Sequence, residues 1–215
     1  MSFLSQLKSQ ASVVQSQREQ QIQSVEDNTH VTELACKEAW RYLQELAPQL
    51  NVLMPDGPAL SLDGKTTWPA LQLVNFRADA RKKTLRNREV FDYIAIGWKI
   101  QPKPGSHPSG AVTVNFPPDL QRVEANLQTA SVPHERQDIR HPEKNTLQAY
   151  RFDYQVEARG YVTITPNHDQ GMLAFRLVTV SGFGVKDALW PAAKVTVDLM
   201  DELAKLLVQQ PSRFL

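Results

Sequence analysis

The residues best suited to metal chemistry lie close together in the stretch 132–145. His134, Glu135, His141 and Glu143 supply imidazole and carboxylate groups, and His107 lies in a separate proline-rich loop. A zinc site needs several such groups to converge at about 2.0–2.2 Å from the ion. The spacing matches no HExxH motif and the chain has no paired CxxC, so the sequence predicts neither a metal site nor a cofactor.

Groups for covalent or phosphoryl chemistry are equally isolated. The single cysteine, Cys36, lies at the edge of an apolar helical pattern, where a thiol is usually an inert core residue. His168 and Asp169 fall in a predicted turn. The segment 181–184 (SGFG) lacks the Gly-Lys-Ser/Thr ending of a phosphate-binding loop, and no GxSxG motif occurs. The sequence therefore names no catalytic residue and favours a non-catalytic protein, although an enzyme whose site only the fold assembles stays open.

A cluster of cations is the strongest binding signal. Six basic residues lie at the end of a predicted strand and in the turn after it: Arg77, Arg81, Lys82, Lys83, Arg86 and Arg88. Cations at a sheet edge discourage aggregation, so a solvated edge is the favoured interpretation. An acidic protein partner is the second. Nucleic acid is the least favoured, because no aromatic residues alternate with these charges to stack on bases.

Further polar residues lie on one side of predicted strands: Asn75, Arg77, Asp79, Lys99, Arg151, Asp153, Gln155, Glu157 and Arg176. Mixed charges on adjacent strands suit cross-strand ion pairs in water. A groove for a polar ligand would have the same pattern, so both interpretations stay open.

The overall composition indicates a folded protein. The 215 residues carry 24 Lys and Arg against 23 Asp and Glu, and the net charge of +1 excludes a globally basic polymer-binding protein. One cysteine excludes an intramolecular disulfide framework. The first residues lack a signal-peptide pattern, and no apolar run approaches about 18 residues. We therefore expect a cytoplasmic protein of bacterial type with no membrane partner.

Residues 31–48 are predicted to form an amphipathic helix. Ala35, Ala39 and Leu43 recur at the three- and four-residue spacing of one helical face. Pro48 is expected to end this helix, because the residue before a proline resists the helical conformation.

Residues 1–30 are predicted to form a helical arm with a heptad-like register. Leu4, Leu7 and Val14 follow the spacing of a coiled-coil seam, but Arg18 and Gln21 make the middle of the seam polar. The arm therefore either lies on its own domain or packs against a second copy.

Between residues 55 and 186 the apolar period changes to two. Tyr150, Phe152 and Tyr154, for example, alternate with charged neighbours. One-sided strands joined by tight turns predict an antiparallel meander of about five to seven strands. A loop at 102–110, a short helix at 117–129 and an exposed excursion at 132–145 interrupt it.

Residues 190–209 are predicted to form a closing helix that is apolar over more than half its circumference. Leu199, Leu203 and Leu206 belong to its main face, which Val197, Met200 and Val208 widen. A surface helix usually has a narrower apolar stripe. We therefore expect the sheet to cover one side and the N-terminal helix or a second copy to cover the other.

Together these elements predict an α+β fold. A helical arm (1–30) precedes a single domain (31–215), in which an antiparallel β-meander carries a long C-terminal helix on one face. This layout resembles the general helix-grip and cystatin-like architectures, an analogy that carries no function.

The favoured function is a non-catalytic interaction or scaffold protein that forms a homodimer. The residues predicted to support self-association are Leu4, Leu7, Val14, Val197, Met200 and Val208. One alternative is a carrier of small molecules or lipids with a pocket between the sheet and the C-terminal helix. Its lining would be Trp68, Trp98, Phe152, Tyr154 and Phe175. A second alternative is nucleic-acid contact through the basic hairpin at 77–88.

Overall fold

The computed structural model of the protein describes the backbone of residues 3–215 and the side chains of residue 8 and residues 12–215. It confirms the predicted α+β fold. The elements in chain order are α1 (Phe3–Leu53), β1 (Leu71–Leu85), β2 (Arg88–Pro102), β3 (Ser109–Val114), α2 (Pro117–Thr129), β4 (His134–Arg140), β5 (Leu147–Gln155), β6 (Ala158–Asn167), β7 (Met172–Val178), β8 (Val185–Pro191) and α3 (Val197–Leu207).

Within the described chain the strands form two antiparallel sheets instead of the single predicted meander. The larger has the order β1-β2-β6-β7-β8, and the smaller has the order β3-β5-β4 with α2 against β3. Strand β4 lies in the stretch 132–145, which is predicted to be an exposed excursion and is largely exposed, but whose pairing as a strand was not predicted. Its side chains are exposed or half-buried and mostly charged, so no period-two pattern marks it, and only backbone pairing with β5 reveals the strand.

The arm and the first helix of the prediction are one continuous helix, α1. It passes through Pro48 and ends at Leu53, so the predicted end at Pro48 is wrong. A proline inside a helix removes one hydrogen bond to the carbonyl four residues earlier. Pro48 and Gln44 are both exposed, so water can bind that carbonyl. Leu50, buried one turn later, anchors the end of the helix to the core.

Helix α1 covers the inner face of the large sheet, where it contacts β1, β2 and β6. Ala35, Cys36, Ala39 and Leu43 are buried along this contact, as the three- and four-residue spacing predicts. The C-terminal helix α3 is shorter than the predicted 190–209, because Trp190 and Pro191 end β8 in register with β7. Helix α3 packs beside α1.

A β-bulge in β1 changes which residues of that strand face the core. Strict alternation along the strand would place Leu71 and Leu73 on the polar side with Asn75, opposite Phe76. A register shift between Val74 and Arg77 instead lets Leu73 and Phe76 both face inward. Asn75 takes the left-handed conformation that the bulge requires, with φ of 57°.

The side chain of Asn51, near the end of α1, holds this bulge in place. Its Oδ1 accepts a hydrogen bond from the Phe76 backbone N–H at 2.7 Å, and its Nδ2 donates to the Phe76 carbonyl at 2.9 Å. These bonds bracket one residue of the bulge, where the regular ladder is interrupted. The end of α1 therefore fixes the conformation from which Asn75 and Arg77 point outward.

Candidate functional site

The histidine and glutamate residues singled out for metal binding do not converge. His134 and Glu135 belong to β4, whereas His141 and Glu143 lie in the turn after it. His134 Nδ1 donates to the Val132 carbonyl at 2.8 Å. Over the part of the chain that the structure describes, no three His, Cys, Asp or Glu residues are grouped to hold a metal ion.

His168 lies at the turn between β6 and β7 and is buried against α1. Its Nε2 lies 2.9 Å from Glu33 Oε1, which also accepts a hydrogen bond from the Phe91 backbone N–H at 2.9 Å. One carboxylate of α1 thus binds both β2 and the β6–β7 turn. The side chains of His168 and Glu33 are only 3% and 16% exposed, so their geometry suits a connection between elements.

Cys36 is completely buried one turn along α1 from Glu33. Burial and, to a smaller extent, the Glu33 charge raise the pKa of its thiol to about 12. We therefore expect no reaction of the native protein with Ellman's reagent at mildly alkaline pH, because the thiolate is the reactive form. Absorbance should show one thiol per chain after denaturation in guanidinium. Rapid reaction of the native protein would contradict this prediction.

The predicted basic cluster is largely neutralised within the fold. Four of its six cations form ion pairs around the β1–β2 hairpin: Arg81–Asp92, Lys82–Glu89, Lys83–Asp92 and Arg86–Asp169. The hydrogen bond from Lys83 holds the pKa of Asp92 below its usual range. Among described residues, Arg77 and Arg88 have no carboxylate oxygen within 4.0 Å. The hairpin is therefore a weaker anion-binding surface than its sequence suggests.

The five aromatic residues of the predicted carrier pocket are all buried in one hydrophobic core, where they form several different aromatic contacts. Trp68 stacks on Tyr154 at a centroid distance of 5.5 Å. Trp98 stacks on Phe76 at 5.6 Å, and Phe175 meets Phe214 edge-on at 5.1 Å. The ring of Phe152 lies 6.0 Å from that of His134. These rings are therefore packed against other side chains of the core.

The residues predicted to support self-association are also divided. Leu4 and Leu7 lie outside the residues whose side chains are described. Val14 and Val197 are 46% and 43% exposed, and Val208 is half-buried. Met200 is completely buried within its own chain, so it presents no surface to a second copy.

The strongest candidate for an interaction element is the part of α1 that extends beyond the sheet. With 51 residues at about 1.5 Å each, the helix is about 76 Å long. Every residue from 12 to 24 is exposed, and the first buried side chain along the described helix is Thr29. We call residues 12–24 the free arm. It is a helix without a covering layer from its own chain.

The apolar side of the free arm continues the buried face of α1. At about 100° per residue, Val14 and Ile22 lie on the same side as Thr32 and Cys36, which are buried under the sheet. Ile22 is 62% exposed. Where the arm meets the β1–β2 hairpin, an open groove of about 400 Å³ is lined by Arg18, Gln21, Ile22, Val25, Glu26 and Arg86.

The predicted polar sheet face is distributed over two sheets, each with an open groove. The groove of the small sheet is about 640 Å³ and includes Arg151, Asp153 and Glu135. Arg151 donates to both oxygens of Asp153 and lowers the pKa of this carboxyl. Arg151 and Asp153 of this groove therefore neutralise each other, as expected for a solvated face.

The groove of the large sheet has a different character. It is about 420 Å³ and contains Arg77 and Lys99, which the sequence analysis named, together with Arg159 and Tyr161, which it missed. Strand pairing brings these residues together across β1, β2 and β6. The sequence signal that could have indicated it is a glycine on each of two strands, Gly97 and Gly160.

Comparison with protein-family models, curated proteins and solved structures finds no match to this chain. Within the described residues, no helix is both long enough and apolar enough to cross a membrane. Functional inference therefore rests on the surfaces described above.

Proposed function

We propose that this protein is a non-catalytic interaction protein and that it self-associates through the free arm of α1. The observation that carries the proposal is the uncovered apolar side of the arm, which continues the buried face of the same helix. Most helical stability in proteins comes from packing of the apolar face. An arm that exposes Val14 and Ile22 in water gains that stabilisation only from a partner.

The charges at the two ends of the arm favour a second copy in the antiparallel orientation as the partner, because Arg18 at the centre faces its own copy in either orientation. In an antiparallel pair centred near residue 18, Lys8 of one arm lies near Glu26 and Asp27 of the other. In a parallel pair each of these charges would lie opposite its own copy. The antiparallel arrangement also places Val14 opposite Ile22, so these exposed apolar side chains on the same side of the arm cover each other.

The antiparallel arrangement leaves room for the rest of each chain. The folded domains of the two copies would lie at opposite ends of the paired arms. The two domains would therefore not occupy the same space. We propose a cytoplasmic location for this role, because the sequence has a single cysteine and therefore none of the disulfide framework common in secreted domains. An acidic protein at the groove beside Arg86 is the competing partner, and a monomeric protein in the experiment below would favour it.

A double substitution on the apolar side of the arm tests the proposal. Val14→Glu/Ile22→Glu is expected to weaken self-association by at least about a hundredfold, because a buried unpaired carboxylate costs several kcal/mol and each 1.4 kcal/mol is tenfold. Sedimentation velocity over a range of concentrations measures the effect. Both side chains are exposed, so the melting temperature of the monomer should not change.

The matched control is Ser16→Glu/Gln20→Glu, which adds the same charge on the opposite side of the same helix. This variant should self-associate like the unmodified protein. A concentration-independent monomer for the unmodified protein would overturn self-association and favour a different partner. Equal dimerisation of both variants would place the contact elsewhere on the chain.

A further inference from the structure

The groove on the outer face of the large sheet has Gly97 in its floor and three cations along its walls. Eight residues line it: Asn75, Arg77, Gly97, Trp98, Lys99, Arg159, Gly160 and Tyr161. Gly97 lies between Arg77 of β1 and Tyr161 of β6 in the strand register. A Cβ atom added at Gly97 would meet the Gly160 carbonyl oxygen and the Tyr161 Cβ atom at 3.8 Å, an ordinary contact distance, so the missing methyl group deepens the groove there.

The cations of this groove repel one another when no anion is bound. Lys99 and Arg159 are direct partners across β2 and β6, and like charges in opposite positions destabilise a sheet. Glu157 accepts a hydrogen bond from Lys99 at 3.0 Å and offsets one charge. Arg77 and Arg159 have no carboxylate oxygen within 4.0 Å anywhere in the described chain. An anion in the groove would offset this repulsion.

The β-bulge holds one wall of the groove in a backbone conformation that is energetically unfavourable for a residue other than glycine. Asn75 has a left-handed backbone, and the two hydrogen bonds from Asn51 fix the next residue, Phe76. Bulges that re-aim side chains and residues held in rare conformations both concentrate at binding sites. Here the bulge places Asn75 and Arg77 on the rim of the same groove.

An aromatic ring completes the site. Tyr161 is 38% exposed beside the cations, and it lies two residues along β6 from Arg159. Exposed aromatic rings on a sheet face stack on nucleobases, while neighbouring arginine and lysine side chains bind phosphate oxygens. Arginine suits this task because its planar group binds two phosphate oxygens at once.

We propose that this groove binds a nucleoside phosphate. The phosphate is held by Arg77, Lys99 and Arg159, the base stacks on Tyr161, and Asn75 supplies an amide for a further hydrogen bond. The ligand chemistry is the same in a free nucleotide and in one unit of a single-stranded nucleic acid. This site is separate from the free arm and does not depend on self-association.

Fluorescence anisotropy with two probes tests the proposal on the full chain. The probes are mant-labelled AMP and a short fluorescein-labelled oligouridylate. Both contain the proposed chemistry, and binding of at least one is expected. Arg77→Gln and Arg159→Gln should each weaken binding by about tenfold or more, as expected for loss of a charge-assisted hydrogen bond. Tyr161→Ala should also weaken binding, and Tyr161→Phe should preserve it because the ring is retained.

Lys194→Gln is the matched control, because it removes one positive charge from an exposed residue in the turn that packs against α1, away from the groove. It should bind both probes like the unmodified protein. All four substituted side chains are exposed, and unchanged melting temperatures would verify folding. Val14→Glu/Ile22→Glu should bind normally, which separates this site from the proposed dimer.

The two probes also distinguish the ligand sources. Similar affinity for both indicates a free nucleotide, and much tighter, salt-sensitive binding of the oligonucleotide indicates a single-stranded nucleic acid. Both results support the groove if the arginine variants lose binding. Absence of binding by both probes, or an equal loss in Lys194→Gln and Arg77→Gln, would overturn the proposal.

Discussion

Leu203→Asp is expected to abolish cooperative folding. Leu203 is completely buried in α3. Removing its side chain loses about 1.5–3 kcal/mol of apolar burial. The introduced carboxylate would add several kcal/mol more, because it has no water and no cation to stabilise its charge. The sum is comparable with the whole stability of a typical domain, about 5–15 kcal/mol. Circular dichroism during thermal unfolding measures the outcome.

Val197→Asp is the control on the same helix. Val197 is 43% exposed and begins α3, where a negative charge interacts favourably with the helix dipole. We expect the free energy of unfolding of the Val197→Asp protein to lie within about 0.5 kcal/mol of that of the unmodified protein. A Leu203→Asp protein that melted cooperatively near the temperature of Val197→Asp would show that α3 is not packed as described.

The helices could be predicted where one face is buried throughout. Cys36, Ala39 and Leu43 repeat at helical spacing because one side of α1 meets the sheet over several turns. The limits of the helices depend on contacts that are distant in sequence. Leu50 keeps α1 helical past Pro48 by packing in the core, and pairing with β7 keeps Trp190 in a strand. The sequence pattern around each helix end shows neither of these contacts, so it does not predict where the helix ends.

The strands could be predicted where one face of the strand is exposed to solvent and the other is buried. Phe152 and Tyr154 alternate with charged residues, and β5 follows that pattern. Strand β4 escaped prediction because its side chains stay largely in water and only its backbone is paired. The bulge in β1 escaped for a different reason. Strict alternation assigns Leu73 and Phe76 to opposite faces, and one extra residue brings both to the core.

The candidate sites also depend on residues that are close in the sequence and on residues that only the fold brings together. Counting cations along the chain indicated the β1–β2 hairpin, but the carboxylates that neutralise Lys82 and Lys83 come from the facing strand. The groove residues Arg77 and Arg159 are far apart in sequence and meet only through the strand order. The free arm was easier to predict, because its apolar side follows from spacing within a single helix.

Gly160→Ala is expected to destabilise the protein by about 1–3 kcal/mol, the usual cost of adding a methyl group to a filled core. Gly160 faces Trp98 across β2 and β6, and an added Cβ would lie 2.4 Å from the indole Cε2 atom. Trp98 is buried and stacked on Phe76, so its ring has little room to move. Urea denaturation measures the loss.

Gly97→Ala is the matched control, because the same methyl group on β2 would meet its nearest neighbours at an ordinary 3.8 Å. It should cost much less than Gly160→Ala. A third comparison isolates the clash from other effects of the substitution. Trp98→Leu removes the indole and leaves a cavity, so adding Gly160→Ala in that background should cost less than it does beside tryptophan. Equal costs in both backgrounds would mean that the contact between Gly160 and Trp98 does not set the stability of this part of the sheet.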